Sequence, residues 1–255
     1  MKLLIGVKTC HKLDYYFDDN TVDWLTARGY HTFDQPARVA AMRDTWLAAV
    51  PQGVDYKFFY GTKLRRTDVK PNQRPGTESP APPLRAPLAD EVFLPVSDGY
   101  KSISAKTRAI CQYALDNGYD YLLLTDDDTL VFLDELLNTD FAEYDYSGAD
   151  TGSFHAGSCI FLSRTALYAI ISSRITSFAD DLWIGDVMKS CGIPMHPIAG
   201  IRHKFGEDYP ARVWNGEASL HSVTPDVMRK LWMQRTMQSS LLSKDAVGSI
   251  SKITR

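Results

Sequence analysis

Three consecutive carboxylates, Asp126, Asp127 and Asp128, stand directly after the run Tyr121-Leu122-Leu123-Leu124-Thr125, and an apolar run resumes at Leu130. A short apolar run bounded by polar turns reads as a buried parallel strand. Acidic side chains crowded at the tip of such a strand repel one another, and burying them unpaired is costly. A divalent cation that brings its own anionic ligand answers that repulsion. In open α/β sheets, ligands bind just past the carboxyl ends of the strands. If the backbone stays extended, Asp126 and Asp128 share one side and Asp127 turns to the other. The competing explanation is an acidic turn facing water.

A second acidic pair, Asp180-Asp181, opens the amphipathic segment that runs through Leu182-Trp183-Ile184-Gly185 to Lys189. Acids suit a helix N-terminus, where the dipole favours negative charge. A carboxylate at that place can equally take a proton from an attacking hydroxyl.

The elements that must position these acids follow from the rest of the chain. Its 255 residues suit one large domain with a substantial core. The net charge of −3 offers no basic field for nucleic acid, so an anionic ligand must be held locally. Cys10, Cys111, Cys159 and Cys191 are scattered without a C-x-x-C pair, which fits a reducing compartment. The N-terminal apolar run is too short for a signal peptide and no window reaches a membrane span. A soluble, cytoplasmic protein is the expectation.

Leu3–Val7 and Tyr56–Tyr60 read as strands, and Val92–Leu94 as a short one. Arg38–Val50 has helical periodicity, with Val39, Met42, Trp46 and Val50 on one face. His11–Pro36 is a long polar and aromatic excursion with a short helix over Val22–Ala27. Prolines make Thr62–Pro95 an extended loop, richest in proline from Pro71. Ser104–Asn117 reads as a helix capped by Ser104 and ended at Gly118. Leu133–Leu137, Thr165–Ser172 and Asp180–Lys189 are further helices. Tyr146–Ala149, Ser158–Leu162, Ile193–Ile198 and Ser219–Val223 are further strands, and Gly152–Gly157 is a small-residue turn. Pro225 opens a last helix through Trp232, and the tail from Ser239 shows no strong pattern. Strands alternate with helices, which predicts an α/β domain over residues 1–235 with a Rossmann-like, mostly parallel sheet flanked by helices, then a tail over 236–255. No G-x-G-x-x-G follows the first strand and no G-x-x-x-x-G-K-[ST] occurs, so dinucleotide and P-loop readings lose support.

In this order the residues resemble the fringe and β-1,3-galactosyl/N-acetylglucosaminyltransferase family, glycosyltransferase family 31. The opening strand ends Val7-Lys8-Thr9. Arg38, Arg43, Thr45 and Trp46 match R-x(4)-R-x-T-W. Asp98, Tyr100, Lys106 and Thr107 match D-x-Y…K-T. Tyr121–Phe132 matches the strand that carries the acidic metal motif, and Gly157–Ser163 the strand after it. Asp180-Asp181-x-x-x-Gly185 matches the catalytic helix start, and His221, Val223, Pro225 and Met228 match H-x-V-x-P-x-x-M. The likeness spans roughly residues 3 to 232. It departs from relatives in the long stretch His11–Pro36, in the Pro-rich loop and in lacking a membrane anchor.

The resemblance implies the GT-A fold and an inverting transfer from a UDP-sugar, galactose or N-acetylglucosamine first, to a hydroxyl of a glycan acceptor through a β-1,3 linkage. It implies Asp128 as the principal metal ligand and His221 as the second, with Asp126 either a ligand or a contact to ribose or sugar, and Asp127 beside the donor. An imidazole beside carboxylates favours manganese, with magnesium as the alternative. Asp181 is the expected general base, with Asp180 orienting it or sharing its ionisation. Lys8, Thr9, Arg43, Asp98 and Lys106 are candidates around the nucleotide, where cations favour a diphosphate. Arg43 and Lys106 can also be surface groups or structural ion pairs. Trp183 lines the acceptor pocket or packs inward, with the pocket the favoured reading; Trp46 is expected to sit in the core, and His155 is a weaker candidate near the donor sugar. Two rivals stand beside this reading. One is a phosphate hydrolase built on an aspartyl strand end. The other is a non-catalytic nucleotide-sugar or glycan-binding module.

Overall fold

The computed structural model describes residues 1–10, 35–63, 86–202 and 217–250. The expected helix over Val22–Ala27 and most of the Pro-rich stretch lie outside the described residues.

The chain is a mixed α/β domain around a seven-stranded sheet. Its strands are β1 (Leu3–Lys8), β2 (Val54–Lys63), β3 (Glu91–Ser97), β4 (Tyr121–Asp126), β6 (Tyr146–Asp150), β7 (His155–Ser163) and β8 (His196–Pro197), in the order β3-β2-β1-β4-β7-β6-β8. β1 pairs in parallel with β2 and β4, and β2 with β3. The sheet is therefore mostly parallel, as expected, but β7 runs antiparallel to both β4 and β6. A small second sheet joins β5 (Leu130–Val131), β10 (Ser219–Leu220) and β9 (Ile201–Arg202), in that order with β10 central. The helices are α1 (Gln35–Asp44), α2 (Ile103–Asp116), α3 (Leu133–Leu136), α4 (Arg164–Ser172), α5 (Asp180–Ser190) and α6 (Pro225–Ile250).

β1 is buried along its whole length because it lies between strands and under helices on both faces. Alternation divides the core in two. Leu3, Ile5, Val7 and Leu123 pack with Val39, Met42, Trp46, Met228 and Leu231. Leu4, Leu122 and Leu124 pack on the other face with Ile110, Ala114, Leu167, Trp183 and Ile184. Each face buries enough apolar surface to fix the register, because a one-residue slip would exchange the two sets.

Several element ends differ from expectation. The helix expected to Val50 stops at Asp44 and tightens into a 3₁₀ turn over Trp46–Ala49, with Thr45 Oγ1 donating back to Ala41 O at 2.6 Å. Such back-bonding competes with the helical ladder. β3 runs past Pro95, which an edge strand tolerates. Ser104 does not cap α2; its hydroxyl donates to Ser177 O and Phe178 O, each at 2.8 Å. β7 begins at His155, so the small-residue turn is shorter than Gly152–Gly157. β8 keeps only two residues of the strand expected over Ile193–Ile198. α6 continues to Ile250. Its C-terminal half, Gln238–Ile250, lacks an apolar period and holds four serines and a glycine, so neither pattern nor propensity announces helix there. All four cysteines are free thiols. Among the described residues no helix is long and apolar enough to cross a membrane.

Candidate metal centre and acid pair

The site is built at the carboxyl ends of β1 and β4. Lys8 and Asp126 are register partners across that pair. Both point to the α2–α5 face, as Leu4 and Leu124 do. Lys8 Nζ lies 3.1 Å from Asp126 Oδ1 and 2.8 Å from Asp180 Oδ2. Asp180 is the first residue of α5 and is buried. Thr107 Oγ1, from α2, donates to the same Asp180 oxygen at 2.6 Å. One ammonium thus joins the two acidic groups that stand far apart in sequence.

Gly157 on β7 explains how they come so close. A Cβ added there would lie 3.2 Å from Lys8 Nζ, 3.6 Å from Asp180 Oδ1 and 3.7 Å from Asp181 Cβ. Only a bare backbone leaves this corner open without displacing a neighbour.

The third group arrives through the small sheet. Asp126 O accepts from Thr129 N at 3.2 Å, which closes the acidic turn and sends the chain into β5. β10 pairs antiparallel with β5, Leu220 opposite Leu130, so the residue after β10 falls beside the turn. Ser222 has φ 62°, and Val223 N donates to Asp128 O at 2.9 Å. The left-handed residue and this bond hold His221 over the carboxylates. His221 Nε2 is 3.2 Å from Asp128 Oδ1 and 3.7 Å from Asp126 Oδ2.

Ligand atoms of Asp126, Asp128 and His221 all lie within 4.8 Å of one another. Asp128 Oδ1 is buried and faces His221 Nε2 at 3.2 Å. A carboxylate oxygen has more than one lone pair, so one that faces an imidazole can still be a cation's ligand. Two carboxylates and one imidazole form a donor set that fits manganese, with magnesium a poorer match to nitrogen. These residues therefore fit a divalent ion.

The electrostatics divide the three aspartates. Burial pushes the Asp126 carboxyl up to about 6, against the pull of Lys8 and His221, and Asp128 and Asp180 add to the rise. Burial would raise Asp128 too, but His221 and Arg38 outweigh it and hold that carboxyl below the usual range. Burial would lower His221, yet Asp128 and Asp126 raise it above the ordinary imidazole value. Burial also opposes charge on Lys8, and Asp126 and Asp180 overcome it. Asp127 faces the other side. Its Oδ2 accepts from Thr9 Oγ1 at 2.8 Å and its Oδ1 from Arg38 at 3.1 Å. Gln35 Nε2 donates to Thr9 Oγ1 at 2.6 Å. Burial still leaves Asp127 raised despite Arg38.

Asp181 is half-buried and its Oδ1 accepts from Leu182 N at 2.8 Å. Of the acid pair it is the one whose carboxylate is not taken by Lys8 and Thr107. Lys106 is buried and donates to Thr9 O at 2.5 Å and Asp98 Oδ1 at 2.6 Å, and Gly61 N donates to the same Asp98 oxygen at 2.6 Å. Lys106 and Asp98 thus form an internal pair that ties α2, β1 and β2 beneath the site. Arg43 is not with the group. Its guanidinium bonds Asp90 at 2.7 Å and Glu91 at 3.0 Å beside β3, three strand positions or about 14 Å from β4.

Trp183 corrects the sequence expectation. It is fully buried in the core and Nε1 donates to Arg174 O at 3.0 Å, so it packs inward. The helix period turned it opposite to Asp181's face. Trp46 is buried in the core. His155 is also buried, its Nδ1 3.2 Å from Ala149 O and its ring 4.4 Å from that of Tyr146, and burial lowers its basicity.

Arg38 and Thr107 belong to the site and were not singled out for it. Arg38 lies 3.1 Å from Asp127 and 3.6 Å from Asp128. Its signal was present in the spacing of Arg38 and Arg43, but only the direction of α1 decides which arginine reaches β4.

No protein-family model and no curated protein matches the chain. Among solved structures, a protein of Desulfovibrio desulfuricans named as a nucleotide-diphospho-sugar transferase aligns over 78% of this chain and 80% of its own, at 13% identity and TM-score 0.43. The catalytic domain of Drosophila β1,4-galactosyltransferase 7, in complex with xylobiose, aligns over 79% of this chain and 66% of its own, at 15% identity and TM-score 0.36. The galactosyltransferase LgtC aligns over 88% of each chain at 12% identity and TM-score 0.38. Likeness at TM-scores below 0.5 leaves the argument to the geometry of the site.

Proposed function

We propose that this chain is a metal-dependent glycosyltransferase of GT-A type. It would move galactose or N-acetylglucosamine from a UDP-sugar to a hydroxyl of a glycan acceptor, with inversion and through a β-1,3 linkage. The linkage, the donor and the stereochemistry rest on the motif resemblance to the fringe and β-1,3-glycosyltransferase family. The observation that carries the reading is the pairing of a three-ligand cluster at the tip of β4 with a second acid pair joined to it through Lys8.

Asp126, Asp128 and His221 would hold manganese, which when bound supplies positive charge against a departing diphosphate. The chain's own part is proton removal and exclusion of alternatives. Asp181 takes the proton of the acceptor hydroxyl as general base. Asp180 is spoken for by Lys8 and Thr107, so it orients the start of α5 while Asp181 stays open to the acceptor. Arg38 keeps Asp127 and Asp128 from repelling each other. Lys106 and Asp98 hold the ends of β1 and β2 as a rigid floor.

The test incubates the protein and manganese with UDP-galactose, UDP-N-acetylglucosamine, UDP-glucose and UDP-xylose in turn. Release of UDP from one of them, stopped by EDTA and restored by manganese, is the expected result. Cleavage of p-nitrophenyl phosphate with no action on any UDP-sugar would establish the hydrolase instead. Manganese-dependent UDP binding with no turnover across a panel of glycosides would establish a binding module.

A further inference from the structure

We propose that Lys8 is a positioning residue that sets the distance between the metal-binding turn and the helix bearing the general base. The inference rests on the metal and base reading above, but it concerns a different group. Lys8 sits between two of the protein's own carboxylates. The residue is 5% exposed, and its ammonium lies 3.1 Å from Asp126 Oδ1 and 2.8 Å from Asp180 Oδ2.

The geometry favours a spacer over mere neutralisation. β1 is buried throughout and hydrogen-bonded on both edges, so Lys8 projects from a rigid strand. Its nitrogen takes Oδ1 of Asp126 and leaves Oδ2 on the His221 side, at 3.7 Å from Nε2. The same nitrogen takes Oδ2 of Asp180, the residue before the proposed base. Thr107 fixes that oxygen from a second element. Gly157 brings β7 against the same point, within 3.2 Å of the nitrogen if it carried a Cβ. Four elements thus meet at one ammonium: β1, β4, α5 and β7. A short side chain or a displaced nitrogen would let α5 move relative to β4. Because Asp181 follows Asp180 on the first helical turn, its carboxylate would move too.

Cys191 supplies the measurement. It is exposed at the end of α5, about 16 Å along the helix from Asp180, while the other three cysteines are buried. A nitroxide on Cys191 and Mn2+ at the metal site give a distance distribution by pulsed electron paramagnetic resonance. The parent protein should give one narrow distribution. Lys8→Met and Lys8→Arg should shift or broaden it by about 1 Å or more, the scale at which misplacement costs a reaction about 100-fold. Asp180→Asn and Gly157→Ala disturb the same knot from the helix and from β7 while keeping Lys8, and they carry the test should Lys8→Met fail to fold. An unchanged distribution in every folded variant, with Mn2+ still bound, overturns the proposal and leaves the metal reading standing. Absence of bound Mn2+ in the parent protein overturns the metal reading itself, and this inference with it.

Discussion

His221 Nε2 stands 3.2 Å from Asp128 Oδ1 because β10 runs antiparallel to β5 and Val223 N is bonded to Asp128 O. The histidine and the aspartate therefore belong to one rigid corner. His221→Asn and Asp128→Ala should each weaken Mn2+-dependent UDP binding at least roughly 10- to 100-fold, by analogy with damage to metal-site partners. Titration calorimetry with and without manganese measures this. Equal UDP affinity in the variants and the parent would remove both residues from the metal site.

The acid pair should separate by phenotype. Asp181→Asn should keep UDP and manganese binding and lower transfer by about 10²- to 10⁴-fold, the usual worth of a positioned base. Asp180→Asn should destabilise as well, by about 3 kcal/mol at the low end for a broken buried pair, and lower transfer only through displacement of the helix turn that carries Asp181. Urea unfolding beside transfer rates resolves the two. Normal transfer by Asp181→Asn would end its assignment.

Trp183 should matter to stability and not to acceptor recognition. Trp183→Ala should cost about 3–5 kcal/mol, the range for a large buried aromatic. Trp183→Phe should lose the bond to Arg174 O, worth about 1 kcal/mol, and leave the acceptor KM unchanged. A raised KM with unchanged unfolding in Trp183→Phe would return this side chain to the pocket.

Arg43 should prove structural. Its guanidinium is the cation of the buried Glu91 carboxylate as well as of Asp90, so Arg43→Ala should cost about 3 kcal/mol by taking this cation from a buried acid. Mn2+-dependent UDP affinity should not change. Arg38→Ala should lower it, because Asp127 and Asp128 would then face each other without their cation. The reverse pattern in calorimetry would exchange the two assignments.

His155 should give stability a dependence on acid. Burial lowers its basicity in the folded protein, so on acidification the unfolded chain binds a proton first. Its contribution is whole above the ordinary histidine value of about 6.5 and declines as pH falls from there toward the folded value. His155→Gln, less stable at pH 8, should therefore close part of its gap to the parent by pH 5. Urea unfolding across that range tests it, and a gap independent of pH would contradict the sign.

Much of this arrangement was legible in the chain. Alternation along Leu122-Leu123-Leu124-Thr125-Asp126 puts Asp126 on the face of Leu122 and Leu124, because a strand has a period of two, while the turn that follows sets the directions of Asp127 and Asp128. The same rule puts Lys8 on the face of Leu4. Periodicity also found α2, α4 and α5, whose apolar faces are narrow and regular. It could not find the second half of α6, where serines and a glycine interrupt any stripe and propensity is weak.

What the amino-acid order determined by itself was the set of acids, the strand that ends in them and the face Asp126 takes, since these depend on neighbours one to four residues apart. Only the tertiary structure decided which distant groups meet: Lys8 with Asp180, His221 with Asp128, Arg38 in place of Arg43, and Trp183 inward. Those pairings depend on strand order, on the antiparallel turn of β10 beside β5 and on the room left at Gly157. Such long-range closures are set by how both faces of the sheet are filled at once, and no local spacing encodes them.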